Sequence, residues 1–236
     1  MDRLIAGAAD LGLSLTRQQV ELFERYYGEL VSWNRRMNLT AIEGYQEVQL
    51  RHFLDSLTVV LVTGPLAPAL RLIDVGSGAG MPGVPLKIAF PDIELQLVES
   101  VGKKARFLEH LVSALALDGV GVLAVRAEGL AHDEHHRERY DLALARGVAR
   151  LATLAELTVP FCRPGGTAVA FKKGAIDREV AEAAHAIAMV GGRLREVRAV
   201  ATNGLEGERV LVAIDKVSPT PGRYPRRAGI PGKRPL

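Results

Sequence analysis

The sequence predicts an α/β fold in which an N-terminal helical cap precedes a doubly wound, mostly parallel β-sheet with an antiparallel edge pair. Three observations support this prediction. Residues 1–65 show only helical periodicity. From Arg71 onward, short apolar segments alternate with helical segments, which is the pattern of βαβ units. A glycine-rich loop directly follows the first apolar segment, at the position where parallel sheets bind ligands.

The helical cap contains two predicted helical stretches. Thr16 and Gln19 have the spacing of a capping box, and apolar residues recur at helical spacing from Val20 to Val31. After a polar connector, a second helical pattern runs roughly from Gln46 to Leu61. Trp33, in the connector, could stack on a nucleic-acid base, but we favour packing in the core.

Residues 66–217 are predicted to form the α/β domain. The predicted parallel strands are Leu72–Val75, Leu95–Val98, Val120–Val125, Leu142–Ala145 and Thr167–Phe171. The predicted helices are Val84–Ala89, Lys103–Leu117, Leu151–Val159 and Ile176–Val190. Two later strands, Leu194–Val200 and Arg209–Ile214, enclose a turn through Asn203-Gly204 and Glu206-Gly207. We therefore expect these two strands to pair antiparallel at the sheet edge.

Residues 218–236 form a basic, proline-rich tail. They contain five prolines and five basic residues but no acidic residue. Since the whole chain has a net charge of only +3, residues 1–217 carry a net charge of about −2. The tail is predicted to be extended rather than helical. It could bind phosphates, with Tyr224 stacking on a base. Alternatively, Tyr224-Pro225 packs on the sheet, and the sequence leaves both interpretations open.

Bulk features exclude several classes of protein. No apolar run approaches the roughly 18 residues of a membrane span, and the first residues show no secretory signal. The single cysteine, Cys162, excludes an intramolecular disulfide and the usual thiolate zinc site. We therefore expect a cytoplasmic protein without membrane association and without a metal site.

The loop after the first predicted strand indicates a ligand-binding site. Its glycines are Gly76, Gly78, Gly80 and Gly83. The last three also satisfy the dinucleotide fingerprint, so a nicotinamide cofactor is one alternative. Asp74 favours another ligand, because its carboxylate would repel a pyrophosphate but attract the ammonium group of S-adenosylmethionine. Glu99, at the end of the second strand, could accept both ribose hydroxyls.

The later strands end in further candidate residues. Ala127 and Glu128 could bind the adenine ring, although Glu128 could also be a first-turn carboxylate stabilised by the helix dipole. Arg146 ends the fourth strand, where it could face the ligand crevice or simply cap the sheet. Lys173, after the fifth strand, is expected near Arg146, where it could contact phosphates.

Many short blocks along the chain carry a family resemblance. They are Trp33-Asn34, Asn38-Leu39-Thr40, Arg51-His52, Asp55-Ser56, Asp74–Leu86, Glu99-Ser100, Lys103-Lys104, Phe107-Leu108, Arg126-Ala127-Glu128, Ala145-Arg146, Lys173-Gly174 and Tyr224–Arg227. With these blocks, residues 14–236 resemble the RsmG (glucose-inhibited division protein B) family of 16S ribosomal RNA guanine-N7 methyltransferases. Met81 and Gly147 depart from the residues common in that family. Both changes look tolerable, since a methionine at position 81 can still pack on the donor.

The resemblance implies the class I methyltransferase fold, with S-adenosylmethionine as methyl donor and S-adenosylhomocysteine as product. The resemblance implies donor contacts from Gly76, Met81, Glu99, Ala127, Glu128 and Arg146, and we add Asp74, Gly78 and Ser100 from the same loops. We predict Arg146 and Lys173 as catalytic residues, and Asn38, Arg51, His52, Lys103, Arg226 and Arg227 as RNA-binding residues. The implied substrate is a guanine in the decoding-region loop of 16S ribosomal RNA, in a partly assembled particle, and we expect a monomer.

The sequence also lacks the residues that other kinds of methyl transfer require. Guanine N7 has a free lone pair, so its methylation needs no general base. The fourth strand is not followed by the Asn/Asp-Pro-Pro-aromatic loop of exocyclic-amine methylation, and Cys162 is expected to be a buried hydrophobe rather than a nucleophile. We expect His52 to be structural, beside an Arg51–Asp55 salt bridge. The rival functions are a nicotinamide-dependent oxidoreductase and a catalytically silent RNA-binding assembly factor.

Overall fold

A seven-stranded β-sheet lies at the centre of the chain, in the order β3-β2-β1-β4-β5-β7-β6. The computed structural model describes residues 1–147, 149–202, 205 and 209–236. The strands are β1 Arg71–Val75, β2 Glu94–Val98, β3 Val120–Leu123, β4 Tyr140–Arg146, β5 Cys162–Lys173, β6 Gly192–Ala199 and β7 Arg209–Lys216. The turn predicted through Asn203-Gly204 and Glu206-Gly207 lies outside the described residues.

Helices cover the sheet and form the N-terminal cap. Before the sheet lie α1 Asp2–Asp10, α2 Arg17–Met37, α3 Tyr45–Val48, a π-helix over Gln49–Leu54, α4 Asp55–Leu57 and α5 Val60–Thr63. Among and after the strands lie α6 Gly83–Ala89, α7 Gly102–Ala114, α8 Ala127–Leu130, α9 Leu151–Thr158, a 3₁₀ turn over Val159–Phe161, α10 Asp177–Met189 and α11 Ile230–Lys233. No helix of these described segments is long and apolar enough to cross a membrane.

The pairing of the strands confirms the predicted sheet. Strands β1 to β5 are parallel, whereas β7 runs antiparallel to both β5 and β6. The chain continues from β1 to β2 and β3 on one side and returns to β4 and β5 on the other. This reversal between β1 and β4 places a crevice at the carboxyl ends of these two strands, where α/β sheets bind ligands.

Alternation along β4 shows how the sheet separates two apolar cores. Leu142 and Leu144 pack with the helical cap and with α6 and α7, whereas Ala143 and Ala145 pack with α9 and α10. Successive side chains of a strand point to opposite faces, so one short run of apolar residues contributes to both cores. The cap thus lies on one face of the sheet, next to the carboxyl edge.

The start of α2 carries the predicted capping box. Thr16 N donates to Gln19 Oε1 at 2.8 Å, and Gln19 N donates to Thr16 Oγ1 at 3.3 Å, which confirms the prediction. The amide of Gln19 also donates to the carbonyl oxygen of Ile88 at 2.9 Å, so the capping box attaches α2 to α6. Trp33 packs against Phe107 with ring centroids 5.6 Å apart, which confirms its role in the core.

The π-helix explains why one predicted salt bridge is wrong. Arg51 pairs with Glu47 at 3.3 Å, and Asp55 pairs instead with Arg146 and Arg209. A π-helix has more residues per turn than an α-helix, so the span from Arg51 to Asp55, nearly all of it in the π-helix, is offset, whereas the Glu47–Arg51 pair begins in α3 and keeps its contact. Asp55 is therefore rotated toward the sheet, which the α-helical spacing of the sequence did not predict.

The tail packs on the body of the protein. Tyr224 is 5% exposed and belongs to the core beneath α9 and α10. Arg137 donates to the carbonyl oxygens of Thr220 and Tyr224 at 2.7 and 2.9 Å. The prediction of an entirely extended tail is wrong at α11, where Pro231 lies in the first turn and its missing N–H costs no hydrogen bond.

Removal of the tail is expected to destabilise the fold. In a chain ending at Val217, the carboxylate of Glu156, whose side chain is fully buried, loses its partner Arg226. An unpaired buried charge typically costs about 3–5 kcal/mol, so the shortened chain should unfold at markedly lower temperature and urea concentration. Arg234→Ala, which removes one exposed charge from the tail, is the matched control. An unchanged unfolding midpoint in the shortened chain would mean that the tail adds nothing to stability.

Candidate active site

Two cavities open at the carboxyl edge of the sheet. The glycine-loop cavity, of about 250 Å³, is lined by residues after β1, β2 and β3 and by part of the tail, among them Gly76, Ser100, Ala127, Glu128 and Gly229. The arginine cavity, of about 490 Å³, lies between the helical cap and the ends of β4, β5 and β7, and its lining includes His52, Asp55, Arg146, Lys173 and Arg209. Ala149 lines both cavities, so the two adjoin just after β4.

The glycines of the loop have different roles. A Cβ atom at Gly80 would lie 2.7 Å from the hydroxyl oxygen of Tyr26, and one at Gly83 would lie 2.9 Å from Asp74 Oδ2, so these two positions are closed by packing. At Gly78, which has a φ of +57°, the nearest atom to such a Cβ lies 3.8 Å away. Gly78 therefore leaves its backbone open for the close approach of a ligand.

Asp74 is a buried carboxylate with one oxygen unpaired. Its side chain is fully buried, and Oδ2 accepts a hydrogen bond from Gly83 N at 3.0 Å. Oδ1 has no hydrogen-bond partner among the described residues. Burial raises the pKa of Asp74 to about 7, although the hydrogen bond from Gly83 and the charge of Arg146 oppose this shift. A cationic group that reached Oδ1 would satisfy it and restore the ionised form.

The carboxylate of Glu99 has a fixed orientation. Oε2 accepts from Gly78 N at 3.0 Å and Oε1 accepts from Val101 N at 2.7 Å. Each carboxylate oxygen retains a second lone pair, so the group can still accept two hydroxyls, as the sequence predicts for a ribose. Ser100, the next residue, is exposed and lines the glycine-loop cavity.

Ala127 and Glu128 begin α8 at the far wall of the same cavity. Glu128 is 7% exposed, and its Oε1 accepts from the backbone N–H of Gly229, in the tail, at 2.8 Å. The sequence predicted neither this contact nor the presence of the tail in the cavity. Oε2 of Glu128 takes no part in that bond.

A cluster of ion pairs forms the floor of the arginine cavity. Arg146 donates through Nη2 to His52 Nδ1 at 2.8 Å, and its Nη1 lies 3.3 Å from Asp55 Oδ2. Nε of Arg209 lies 2.8 Å from the other oxygen, Asp55 Oδ1. The two arginines thus share one carboxylate. The predicted position of Arg146 at the crevice agrees with this geometry, whereas no pattern in the sequence indicates that Arg209 would join it.

His52 is a neutral side chain in this environment. Burial lowers the pKa of His52 to about 4, and the charge of Arg146 lowers it further. Since Nδ1 accepts from Arg146, the remaining proton is assigned to Nε2, which lies 2.8 Å from Thr40 Oγ1. His52 therefore positions Arg146 without carrying a charge itself, in agreement with the structural role that the sequence favours.

Tyr26 is a site residue that the sequence analysis missed. Its hydroxyl donates to the carbonyl oxygen of Ala79 at 2.5 Å and lies 3.5 Å from the sulfur of Met81, both in the glycine loop. Burial raises the pKa of Tyr26 well above its ordinary value, so the hydroxyl remains a donor. The only signal in the sequence is its place on the buried face of α2, three residues after Phe23.

The remaining predicted residues divide into two groups. Arg51 and Lys173 are exposed and line the arginine cavity together with His52 and Arg146. The others do not line that cavity. Asn38 caps the C-terminal end of α2, Lys103 lies on α7, and Arg226 and Arg227 lie in the tail.

Two further predictions concern cysteine and metal. Cys162 is fully buried, and burial raises the pKa of its thiol to about 12, which confirms the small buried hydrophobe. In the parts of the chain that the structure describes, no group of three or more His, Cys, Asp or Glu residues could bind a metal ion.

Comparison with known sequences identifies close relatives. The family model described as rRNA small subunit methyltransferase G matches residues 19–211. The proteins named ribosomal RNA small subunit methyltransferase G from Dehalococcoides mccartyi strain CBDB1 and Roseiflexus castenholzii are 50% and 52% identical to the chain. In both comparisons the match covers the full length of both proteins.

Comparison with solved structures supports the fold. A SAM-dependent methyltransferase from Aquifex aeolicus matches with a TM-score of 0.55 and 17% identity, over 76% of this chain and 97% of that one. Precorrin-6y C5,15-methyltransferase from Geobacter metallireducens matches with a TM-score of 0.50 and 13% identity, over 67% and 86% of the two chains. At these identities the likeness shows the class I methyltransferase fold alone.

Asp74→Asn is expected to raise thermal stability at pH 8 and to abolish ligand binding. The pKa of Asp74 rises from an ordinary 3.8 to about 7 on folding, so stability falls as the pH rises between these values and stays reduced above pH 7. At pH 8 the neutral amide should therefore raise the unfolding temperature above that of the wild type. If Asp74 binds the donor as the sequence predicts, the same change should abolish binding of S-adenosylmethionine, because it removes the charge expected to face the ammonium group.

Thermal unfolding at pH 5 and pH 8, with calorimetric titration of S-adenosylmethionine, measures both effects. Asp10→Asn, at an exposed position, is the control for loss of an acidic group. The assignment of Asp74 to the donor fails if Asp74→Asn binds S-adenosylmethionine as tightly as the wild type.

Proposed function

The chain belongs to the rRNA small subunit methyltransferase G family, and on that premise we propose that it methylates guanine N7 in the decoding-region loop of bacterial 16S ribosomal RNA, with S-adenosylmethionine as donor. The proposed substrate is RNA in a partly assembled ribosomal particle, and the proposed enzyme is a cytoplasmic monomer. The observation that carries the proposal is that the glycine-loop cavity, which is lined by Glu128 and lies at the strand ends that carry the buried carboxylates of Asp74 and Glu99, adjoins the arginine cavity just after β4.

Residues in and around the glycine-loop cavity fit the donor. S-adenosylmethionine supplies an electrophilic methyl group on a sulfonium centre. The unpaired Oδ1 of Asp74 suits its ammonium group, and the fixed carboxylate of Glu99 suits its ribose hydroxyls. Glu128 can accept from the exocyclic amine of the adenine. Gly78 provides the open backbone at which the ligand can approach.

The arginine cavity fits an anionic, hydrogen-bond-accepting substrate. Its lining contains five basic residues and two carboxylates: Arg51, Arg146, Lys172, Lys173, Arg209, Asp55 and Glu179. Guanine presents N7 and O6 as acceptors, which arginine and lysine commonly bind. Lys173 is exposed at the end of β5 and can reach phosphates. Lys172 is less available, because it pairs with Glu179 at 2.7 Å.

The cavity also agrees with a reaction that needs no base. His52 is neutral at pH 7 but uses both ring nitrogens in contacts with Arg146 and Thr40. Asp55 is committed to two arginines. The catalytic contribution is therefore to hold the guanine in line with the methyl group, and such positioning can be worth about 7–11 kcal/mol.

Transfer of an isotopically labelled methyl group from S-adenosylmethionine tests this function. Small-subunit particles from a bacterial strain without the enzyme should accept one methyl group per 16S RNA. Reduction followed by aniline treatment should then cleave the RNA at one guanine, because this treatment breaks the chain at N7-methylguanosine. If the protein binds donor and particle but transfers no methyl group, it is a silent assembly factor, and a label on another atom would exclude N7.

Replacement of Arg146 or Lys173 is expected to impair turnover more than donor binding. Arg146→Ala removes the group between the cap and β4, and a displacement of about 1 Å in the reactants can lower the rate about 10²-fold. Lys173→Ala should lower kcat/KM for the particle about tenfold, which corresponds to about 1.4 kcal/mol. Calorimetry should show donor affinity within about threefold of the wild type, consistent with a loss of roughly 0.6 kcal/mol or less.

The matched control is Arg178→Ala, because Arg178 is exposed on α10 outside both cavities. Equal losses of donor affinity and turnover in the Arg146 and Lys173 variants would instead indicate a general structural role for these two residues.

A further inference from the structure

The C-terminal segment 226–232 reaches the glycine-loop cavity. Gly229 and Gly232 line this cavity beside Ser100, Ala127 and Glu128. The backbone N–H of Gly229 donates to Glu128 Oε1 at 2.8 Å. A tail that only covered the sheet would not need a polar contact with a buried carboxylate in the cavity.

A buried ion pair anchors this segment to α9. The side chain of Glu156 is fully buried and receives three groups of Arg226. The backbone N–H and Nε of Arg226 donate to Oε1 at 2.7 and 2.9 Å, and Nη2 donates to Oε2 at 2.7 Å. A carboxylate is costly to bury unless it is paired in this way, so the buried position of Glu156 depends on the bound tail.

A second contact from α9 attaches the segment beyond Gly229. Thr153 Oγ1 donates to the carbonyl oxygen of Pro231 at 2.9 Å. Thr153 and Glu156 are three residues apart and therefore lie on the same face of α9. The segment between these attachments contains Gly229, whose φ of +80° is a conformation that glycine adopts without strain. Attachments on both sides thus define the position of the Gly229 N–H group.

We propose that segment 226–232 is part of the donor site and that it orients Glu128 for recognition of the adenine amine, an inference that rests on the proposed function. Gly229 fixes one oxygen of the Glu128 carboxylate and leaves the other to accept from the ligand. A carboxylate fixed in this orientation distinguishes adenine, which presents an amine donor, from hypoxanthine, which presents a carbonyl acceptor at the same position. Arg226 anchors the segment that carries Gly229 and so acts on the donor through the Gly229–Glu128 contact. It is therefore a positioning residue.

The test compares S-adenosylhomocysteine with S-inosylhomocysteine, which differ in that one group. Calorimetry is done on the wild type, on a chain ending at Arg227, on Arg226→Lys and on Arg234→Ala. The chain ending at Arg227 keeps the Arg226–Glu156 pair and Tyr224 but removes Gly229. It should bind S-adenosylhomocysteine at least tenfold more weakly, and its preference over the inosine analogue should nearly vanish.

The two tail substitutions complete the comparison. Arg226→Lys keeps a cation beside Glu156 but loses the forked hydrogen bonds, so the chain should fold and lose part of the preference. Arg234→Ala, an exposed position in the same tail, should bind both compounds as the wild type does.

Each outcome decides the inference. An unchanged preference in the chain ending at Arg227 overturns it. If that chain does not fold, Arg226→Lys decides: an equal weakening of both compounds overturns the inference, whereas a selective loss for the adenosine compound supports it. Failure of the wild type to bind S-adenosylhomocysteine at all would reject the proposed donor site itself, which is a separate result.

Discussion

The carboxylate of Asp55 joins three parts of the chain that are far apart in sequence. It lies on α4, immediately after the π-helix, and contacts Arg146 at the end of β4 and Arg209 at the start of β7. Without this carboxylate, two largely buried guanidinium groups would repel each other in a region of low dielectric. Arg146 of this ion pair also affects the protonation of His52, because its charge adds to burial in lowering the pKa of the imidazole. This shared ion pair thus joins the helical cap to the ends of β4 and β7 and forms part of the lining of the arginine cavity.

The helical cap is therefore a wall of the active site rather than a separate addition. The π-helix rotates Asp55 toward the sheet and brings His52 into contact with Arg146. On the other side of the crevice, the hydroxyl of Tyr26 in α2 bonds to the glycine loop. The cap thus contacts both the arginine cavity and the glycine loop. A displacement of the cap would alter the donor side and the acceptor side together, which is useful where two reactants must be aligned.

Local sequence patterns were enough to predict the framework. The strands and helices follow from periodicity, and the donor loop follows from the glycines with Asp74. The contacts that shape the site join residues with large separations in sequence, such as Asp55 with Arg209 and Glu156 with Arg226. No local pattern encodes such pairs, because each depends on the relative placement of whole elements. The Arg51–Asp55 prediction was wrong for a related reason, since the sequence does not reveal the wider turn of a π-helix.

The charges around the two cavities affect the charge transfer in the proposed reaction and the release of its product. Asp74, Glu99 and Glu128 are buried carboxylates at the carboxyl ends of β1, β2 and β3, and Glu128 lines the glycine-loop cavity. In the proposed reaction they suit a donor with a sulfonium and an ammonium group. Methylation at N7 moves one positive charge from sulfur to the guanine, into a cavity where basic residues exceed carboxylates. If the guanine binds in that cavity as proposed, the charge leaves carboxylates that attract it and arrives where the excess of basic residues repels it, so the electrostatics oppose the transfer itself but favour release of the product. In the proposed function, the basic residues that would attract the RNA phosphates would therefore also favour departure of the methylated base.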